Sequence, residues 1–143
     1  MNRTNKDNCT SQQFGNACEH YVISRLGFAN VPAQKMPDGW PGYDVVAQPS
    51  VRRPLSRISV KGRRSPWVHK VWRMNLDGAW DWLALVLVEK NTTRCWVIPH
   101  AAAKKLARSR ATGRTRYAIS LPRLESLGAK WEDNFSLRPK RAA

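Results

Sequence analysis

Two short stretches combine residue types that can handle a phosphate ester. Gly42-Tyr43-Asp44-Val45-Val46-Ala47 puts a carboxylate at the mouth of an apolar run, and Ile58-Ser59-Val60-Lys61 ends the next apolar segment in an ammonium. An Asp and a Lys on adjacent strands are a minimal set for holding a hard cation beside a phosphate. Glu19, on a helical stripe upstream, can supply a second carboxylate. Phosphodiester cleavage needs charge neutralised on the phosphate and a deprotonated water, and Mg²⁺ or Mn²⁺ held by a few oxygens assists both. The three residues therefore point to metal-dependent nuclease chemistry, on the condition that they converge at one sheet edge.

Asp38 competes with Asp44 for the acidic role. It sits in Pro37-Asp38-Gly39-Trp40-Pro41-Gly42, where an Asp is more often a turn former. Asp44 directly precedes an apolar strand and is preferred. His20, His69 and His100 form no cluster, and none is assigned as a general base. His100 falls in the first turn of an expected helix.

The bulk charge agrees with a polyanionic partner. The chain has 143 residues, with 25 Lys+Arg against 10 Asp+Glu and a formal charge of +15. Between Asp44 and Asp77 there is no acid, while Arg52, Arg53, Arg57, Lys61, Arg63, Arg64, Lys70 and Arg73 all occur. A field of this kind attracts nucleic acid. In the strip from Arg63 to Arg73, basic and aromatic residues alternate loosely. Arg57, Arg63, Arg64, His69, Lys70 and Arg73 suit phosphate contacts, and Trp67 or Trp72 can stack on a base or pack on the sheet. Trp80, Trp82 and Trp96 are expected in a core or a subunit contact.

Cys9, Cys18 and Cys95 show no metal-ligand spacing and are expected as free thiols. No apolar run reaches membrane-spanning length, and the N-terminus lacks a signal-peptide core. A cytoplasmic protein is expected.

The elements that must position these residues follow from periodicity. Phe14, Ala17, Cys18, Tyr21, Val22 and Leu26 recur at helical spacing, with Gly27 as the expected stop. Strands are expected over Phe28–Gln34, Tyr43–Gln48, Leu55–Lys61, Trp82–Val88 and Arg94–Ile98. Period-two alternation puts Arg57, Ser59 and Lys61 on one face of their strand. Pro99 opens a helix to about Arg108, Tyr117–Ser120 is extended, and Ser120 caps a helix over Leu121–Leu127 that Gly128 ends. Residues 62–80 suggest a decorated loop or hairpin. One domain is expected over 1–143, with a loose arm at 1–10 and a basic tail at 136–143.

In this order of elements the chain resembles the PD-(D/E)xK nuclease superfamily, especially small Holliday-junction-resolvase-like and intron homing endonuclease-like members. The likeness runs over about residues 14–135. It rests on the helix with Gly15 and Glu19, Tyr43-Asp44, Ser59-Val60-Lys61, the Trp82–Val88 strand, Cys95–Pro99 running into a helix, and Trp131-Glu132-Asp133-Asn134-Phe135. The resemblance implies an α/β, restriction-endonuclease-like fold, with a central mixed sheet of four to five strands flanked by helices. It implies a catalytic set of Glu19, Asp44, Ser59 and Lys61. Asp44, Glu19 and the backbone carbonyl of Val60 would bind the metal. It also implies a homodimer, since cutting two strands takes two sites. One departure is plain: the family's second acid stands two residues before the lysine, where this chain has Ser59.

Three functions are compatible with these features. One is a Mg²⁺- or Mn²⁺-dependent DNA endonuclease acting on branched or structured DNA. Another is a nuclease-fold nucleic-acid-binding protein whose catalysis Ser59 has weakened. The third is a basic RNA-binding protein, for which charge alone suffices.

Overall fold

The uninterrupted apolar run Trp82–Val88 is the strand around which the molecule is layered. The computed structural model describes residues 8–66, 70–109 and 117–139. In chain order they form α1 (Ser11–Phe28), β1 (Ala33–Lys35), β2 (Val45–Ala47), β3 (Ser56–Arg64), β4 (Val71–Met74), β5 (Trp82–Val88) and β6 (Thr93–Pro99). Then come α2 (His100–Leu106), β7 (Arg108–Ser109), β8 (Tyr117–Ser120), α3 (Leu121–Leu127) and a single 3-10 turn at Ala129–Trp131. The main sheet has the order β1-β2-β3-β5-β6. Its β3–β5 pair is parallel and the other pairs are antiparallel. This is the α/β class with a mixed five-stranded sheet that the sequence implies.

Alternation along β5 builds two cores, one on each face. Trp82, Ala84 and Val86 pack with Cys18, Val22 and Leu26 of α1. Leu83, Leu85 and Leu87 pack on the opposite side with Trp72, Trp96, Leu106 and Leu124. A strand covered on both faces has no polar positions, which is why Trp82–Val88 contains none.

α1 starts at a capping box. The Thr10 hydroxyl accepts from Gln13 N–H, and the Gln13 side chain accepts from Thr10 N–H at 2.9 Å. The helix runs through Gly27 to Phe28, one residue beyond the expected stop. Leu26 is fully buried and anchors that last turn. The reversal falls on Asn30, at φ 65°, a conformation that Asn tolerates. The strand expected over Phe28–Gln34 therefore shrinks to Ala33–Lys35.

The segment 62–80 also differs from a hairpin. β3 continues to Arg64, and β4 leaves the main sheet to pair with β8 in a second sheet of order β4-β8-β7. Trp72 lies in this second layer, fully buried. Its indole N–H donates to the Val86 carbonyl at 3.4 Å, and its ring meets Trp96 edge-on. It is a core residue, so the base-stacking alternative for Trp72 is corrected. Trp67 and His69 lie outside the described residues.

The edge of β6 is covered by the segment after α3. Glu132 bridges to Trp96 and receives Arg94 at 3.0 Å, while Phe135 and Leu137 enter the α1-side core. Among the described residues, no helix is long and apolar enough to cross a membrane.

Candidate metal and phosphate site

The site forms where β2 and β3 part. Their ladder is short: Val45 faces Ile58, Val46 faces Arg57, and Ala47 faces Ser56. Asp44 N–H makes one more bond, to the Ile58 carbonyl at 2.9 Å, and Met36 N–H holds the Asp44 carbonyl at 2.8 Å. Immediately upstream, Gly42 sits at φ 93°, a left-handed turn that takes the chain away from the sheet. β3 runs on alongside β5. The Val60 N–H, on the vacated edge, is taken by Asp44 Oδ2 at 2.8 Å. In an extended strand the N–H and C=O of one residue point to the same edge. The Val60 carbonyl therefore shares the edge that Asp44 occupies.

Glu19 reaches this point from α1. Its carboxyl lies close enough to Asp44 for the two charges to act on each other. Burial, then the like charge of Asp44, push the Glu19 pKa up to about 7, against the attraction of Lys35. Lys35 Nζ lies 3.8 Å from Glu19 Oε2, 2.6 Å from Asp38 Oδ1 and 3.1 Å from the Met36 carbonyl. A hydrogen bond to Asp38 holds the Lys35 ammonium above its ordinary pKa, assisted by Glu19 and Asp44. Helix α1 can lie this close to β3 because residue 62 is glycine. A Cβ there would collide with Cys18 Sγ and lie 3.2 Å from the Phe14 ring.

Ser59 and Lys61 face the other side of β3. There, with Asp44, they line a concavity of about 220 Å³ whose walls include Tyr43, Asn75 and Trp80. Ser59 is nearly buried and Lys61 is exposed. Asp44 is thus the common member. It adjoins Glu19 on the helix side of the edge, and Ser59 and Lys61 on the other.

The remaining basic residues fall into two groups. Arg63, Lys70 and Arg73 are exposed. Arg64 is also exposed but lies over the Phe14 ring, 4.7 Å from its centroid. Arg57 forms a two-pronged pair with Asp81, both contacts at 3.2 Å, and its backbone N–H donates to the same carboxylate. That pair ties the start of β3 to the entry of β5. It leaves Arg57 with a compensated charge.

Lys35 was not singled out in the sequence, because the first strand was expected to end at Gln34. The available signal was its spacing to Asp38, which faces it at i+3. His100, first residue of α2, bonds the Leu76 carbonyl through Nε2 at 2.8 Å and packs at a tilt against the Trp80 ring, so it organises the core.

The donor set suits a hard divalent cation. Burial first, and then the nearby Asp44 charge, disfavour the ionised Glu19, which retains a proton near neutral pH; a cation between the two carboxylates offsets both costs. Among the described residues, no cluster of three or more His, Cys, Asp or Glu side chains is formed. Mg²⁺ needs no such cluster, since it keeps several waters and binds through one or two carboxylates. The set lacks the nitrogen and sulfur ligands that zinc favours.

No protein-family model matches the chain. No curated protein matches it either. Among solved structures the chain is similar to Hjc, a Holliday junction resolvase from the archaeal hyperthermophile Archaeoglobus fulgidus. The identity is 14%, the TM-score 0.46, and the match covers 73% of this chain and 88% of that one. It is also similar to the bacterial homing endonuclease I-Ssp6803I, with 14% identity, a TM-score of 0.47, and coverage of 79% and 78% respectively.

Proposed function

We propose that this protein is a metal-dependent DNA endonuclease that hydrolyses phosphodiester bonds in branched or structured DNA. The observation that carries the reading is the Asp44–Val60 contact at the parted strands, with Glu19 near the same carboxylate. In this reading Asp44, Glu19 and the Val60 carbonyl hold Mg²⁺ or Mn²⁺. The ion supplies Lewis acidity to the phosphate and the attacking water. Lys61 orients that water and meets the negative charge that develops on the phosphate. The Ser59 hydroxyl donates to a phosphate oxygen. Arg63, Lys70 and Arg73 grip the backbone of the flanking duplex. The protein acts in the cytoplasm as a two-fold homodimer, one site for each strand.

The test is cleavage of supercoiled plasmid and of a four-way junction, with Mg²⁺ and with EDTA. Asp44→Asn should lose cleavage by at least about a hundredfold, the scale of removing a principal charge-stabilising group. Its DNA affinity should persist, because affinity is spread over many cations. An Asp44→Asn protein that cuts at the wild-type rate would move the chemistry elsewhere, with Asp38 the next acid to examine.

One observation favours a second reading, in which the fold binds DNA and catalysis has been lost. Ser59 stands where the resemblance expects an acid, and it offers a neutral oxygen. Metal-independent binding, with no cutting under any divalent ion, would select that reading.

A further inference from the structure

Tryptophan is the residue most firmly sorted by this fold. Trp72, Trp80, Trp82, Trp96 and Trp131 are each 5% exposed or less, whereas Trp40 is 46% exposed. Trp40 lies between two glycines in left-handed conformations, Gly39 at φ 79° and Gly42 at φ 93°. Its backbone N–H is fixed to the Pro37 carbonyl at 3.0 Å. Its ring is braced edge-on by Tyr43, with centroids 6.4 Å apart. It forms one wall of the concavity that also holds Asp44, Ser59 and Lys61.

An indole left in water, braced from one side and beside a lysine, needs a partner that is flat, apolar on its faces and attached to an anion. A nucleobase next to a phosphate has all three properties. A purely apolar ligand would not suit the Lys61 ammonium in the same concavity, nor a chain of formal charge +15. Asn75, on the same lining, has its side-chain oxygen engaged by Asp77 N–H at 2.8 Å. What it can offer a base edge is its amide NH₂.

We propose that Trp40 is a stacking subsite for the base flanking the phosphate bound at Ser59 and Lys61, and that it makes the site prefer DNA in which that base is unpaired. The inference rests on the reading of this site as one that takes DNA. In an intact duplex both faces of a base are covered by neighbours. A bulge, a nick or a branch point frees one face, and stacking on Trp40 then adds to the backbone contacts that paired and unpaired DNA share.

The test uses the full chain in EDTA, so that it does not depend on cutting. Two fluorescent duplexes are compared, one fully paired and one with a single bulged 2-aminopurine. Wild type should bind the bulged duplex at least about fivefold more tightly, the lower end for one base–aromatic stack, and should quench the 2-aminopurine. Trp40→Ala should lose the preference and the quenching, with affinity for the paired duplex unchanged. Trp40→Phe should retain a preference, and thermal melting of each variant checks the fold. A Trp40→Ala protein that keeps the preference, or that loses affinity equally for both duplexes, overturns the proposal. The two readings fail separately. A protein that cuts DNA but ignores Trp40→Ala sinks the subsite alone. One that stacks the base but never cuts with any divalent ion sinks the nuclease alone.

Discussion

Asp44 Oδ2 and the backbone N–H of Val60 are joined at 2.8 Å at the point where β2 leaves β3. The bond does two things. It closes the sheet edge that the parting strands would leave open, and it fixes one carboxylate oxygen beside the Val60 carbonyl. The other oxygen, Oδ1, takes no part in that bond. A carboxamide at 44 can keep the backbone bond through its oxygen, which is why Asp44→Asn separates chemistry from fold better than Asp44→Ala.

The raised Glu19 pKa, about 7, sets a pH dependence. A carboxyl that ionises near 4.5 in the unfolded chain and near 7 in the folded one stays protonated in the native state between those values. The folded state then holds more protons, so this group's contribution to stability is largest below about 4.5 and declines as pH rises toward 7. A divalent cation reverses the trend by replacing the proton. Mg²⁺ should raise the melting temperature more at pH 8 than at pH 5.5, and Glu19→Gln should remove most of the difference. Lys35→Met removes the attraction that opposes the rise, so the Glu19 carboxyl should titrate higher still in ¹³C NMR. An unchanged titration in Lys35→Met would show that Lys35 does not act on Glu19.

Ser59 is nearly buried beside Asp44 and Lys61. Ser59→Asp would add a charge that water reaches poorly, so the metal-free variant should melt several degrees lower, in line with about 1–3 kcal/mol for a poorly solvated polar group. Mn²⁺ should restore more stability to it than to wild type, and calorimetry should give it the tighter Mn²⁺ binding. If Ser59→Asp leaves Mn²⁺ affinity unchanged, Ser59 does not stand at the metal.

Neutralising the exposed Arg63, Lys70 and Arg73 together should lower the log–log salt slope of duplex binding by up to about 3, at roughly 0.9 per phosphate contact. Sequence preference should hardly move, because phosphate contacts carry no base information. Arg57 serves as the control. Its guanidinium is paired with Asp81, and Arg57→Gln should affect melting temperature more than salt slope. An unchanged slope in the triple variant would take the strip out of DNA binding.

A homodimer should be visible by sedimentation at tens of micromolar, with or without DNA. Monomer under both conditions would contradict the two-site arrangement.

The legible parts of the fold are those whose signals are local. Trp82–Val88 is an apolar run bounded by polar residues, and it becomes β5 with those bounds. Ser120 and Gly128 cap α3 as their chemistry dictates. The fold class followed from these elements in order. The second sheet was not legible, because Val71 pairs with Ser120 across a long stretch of chain and a four-residue strand carries little periodicity. The same limit hid the fate of the tryptophans. Nothing near Trp72 distinguishes an inward from an outward ring until β4 has a partner. At the site, Asp44 and Lys61 were conspicuous as charged residues, one opening an apolar strand and the other ending an apolar segment. Lys35 was hidden because its importance is spatial: it meets Glu19 only after α1 has packed across the sheet.

The most direct test of the site is a crystal of the full chain soaked in Mn²⁺ and measured at the manganese absorption edge. The account predicts an anomalous peak at the parted end of β2 and β3. Asp44 Oδ1 and the Val60 carbonyl should lie at bonding distance, about 2.0–2.3 Å for a hard divalent ion, with Glu19 ligated directly or through one water and Lys35 withdrawn toward Asp38. A peak elsewhere, or none, would contradict it.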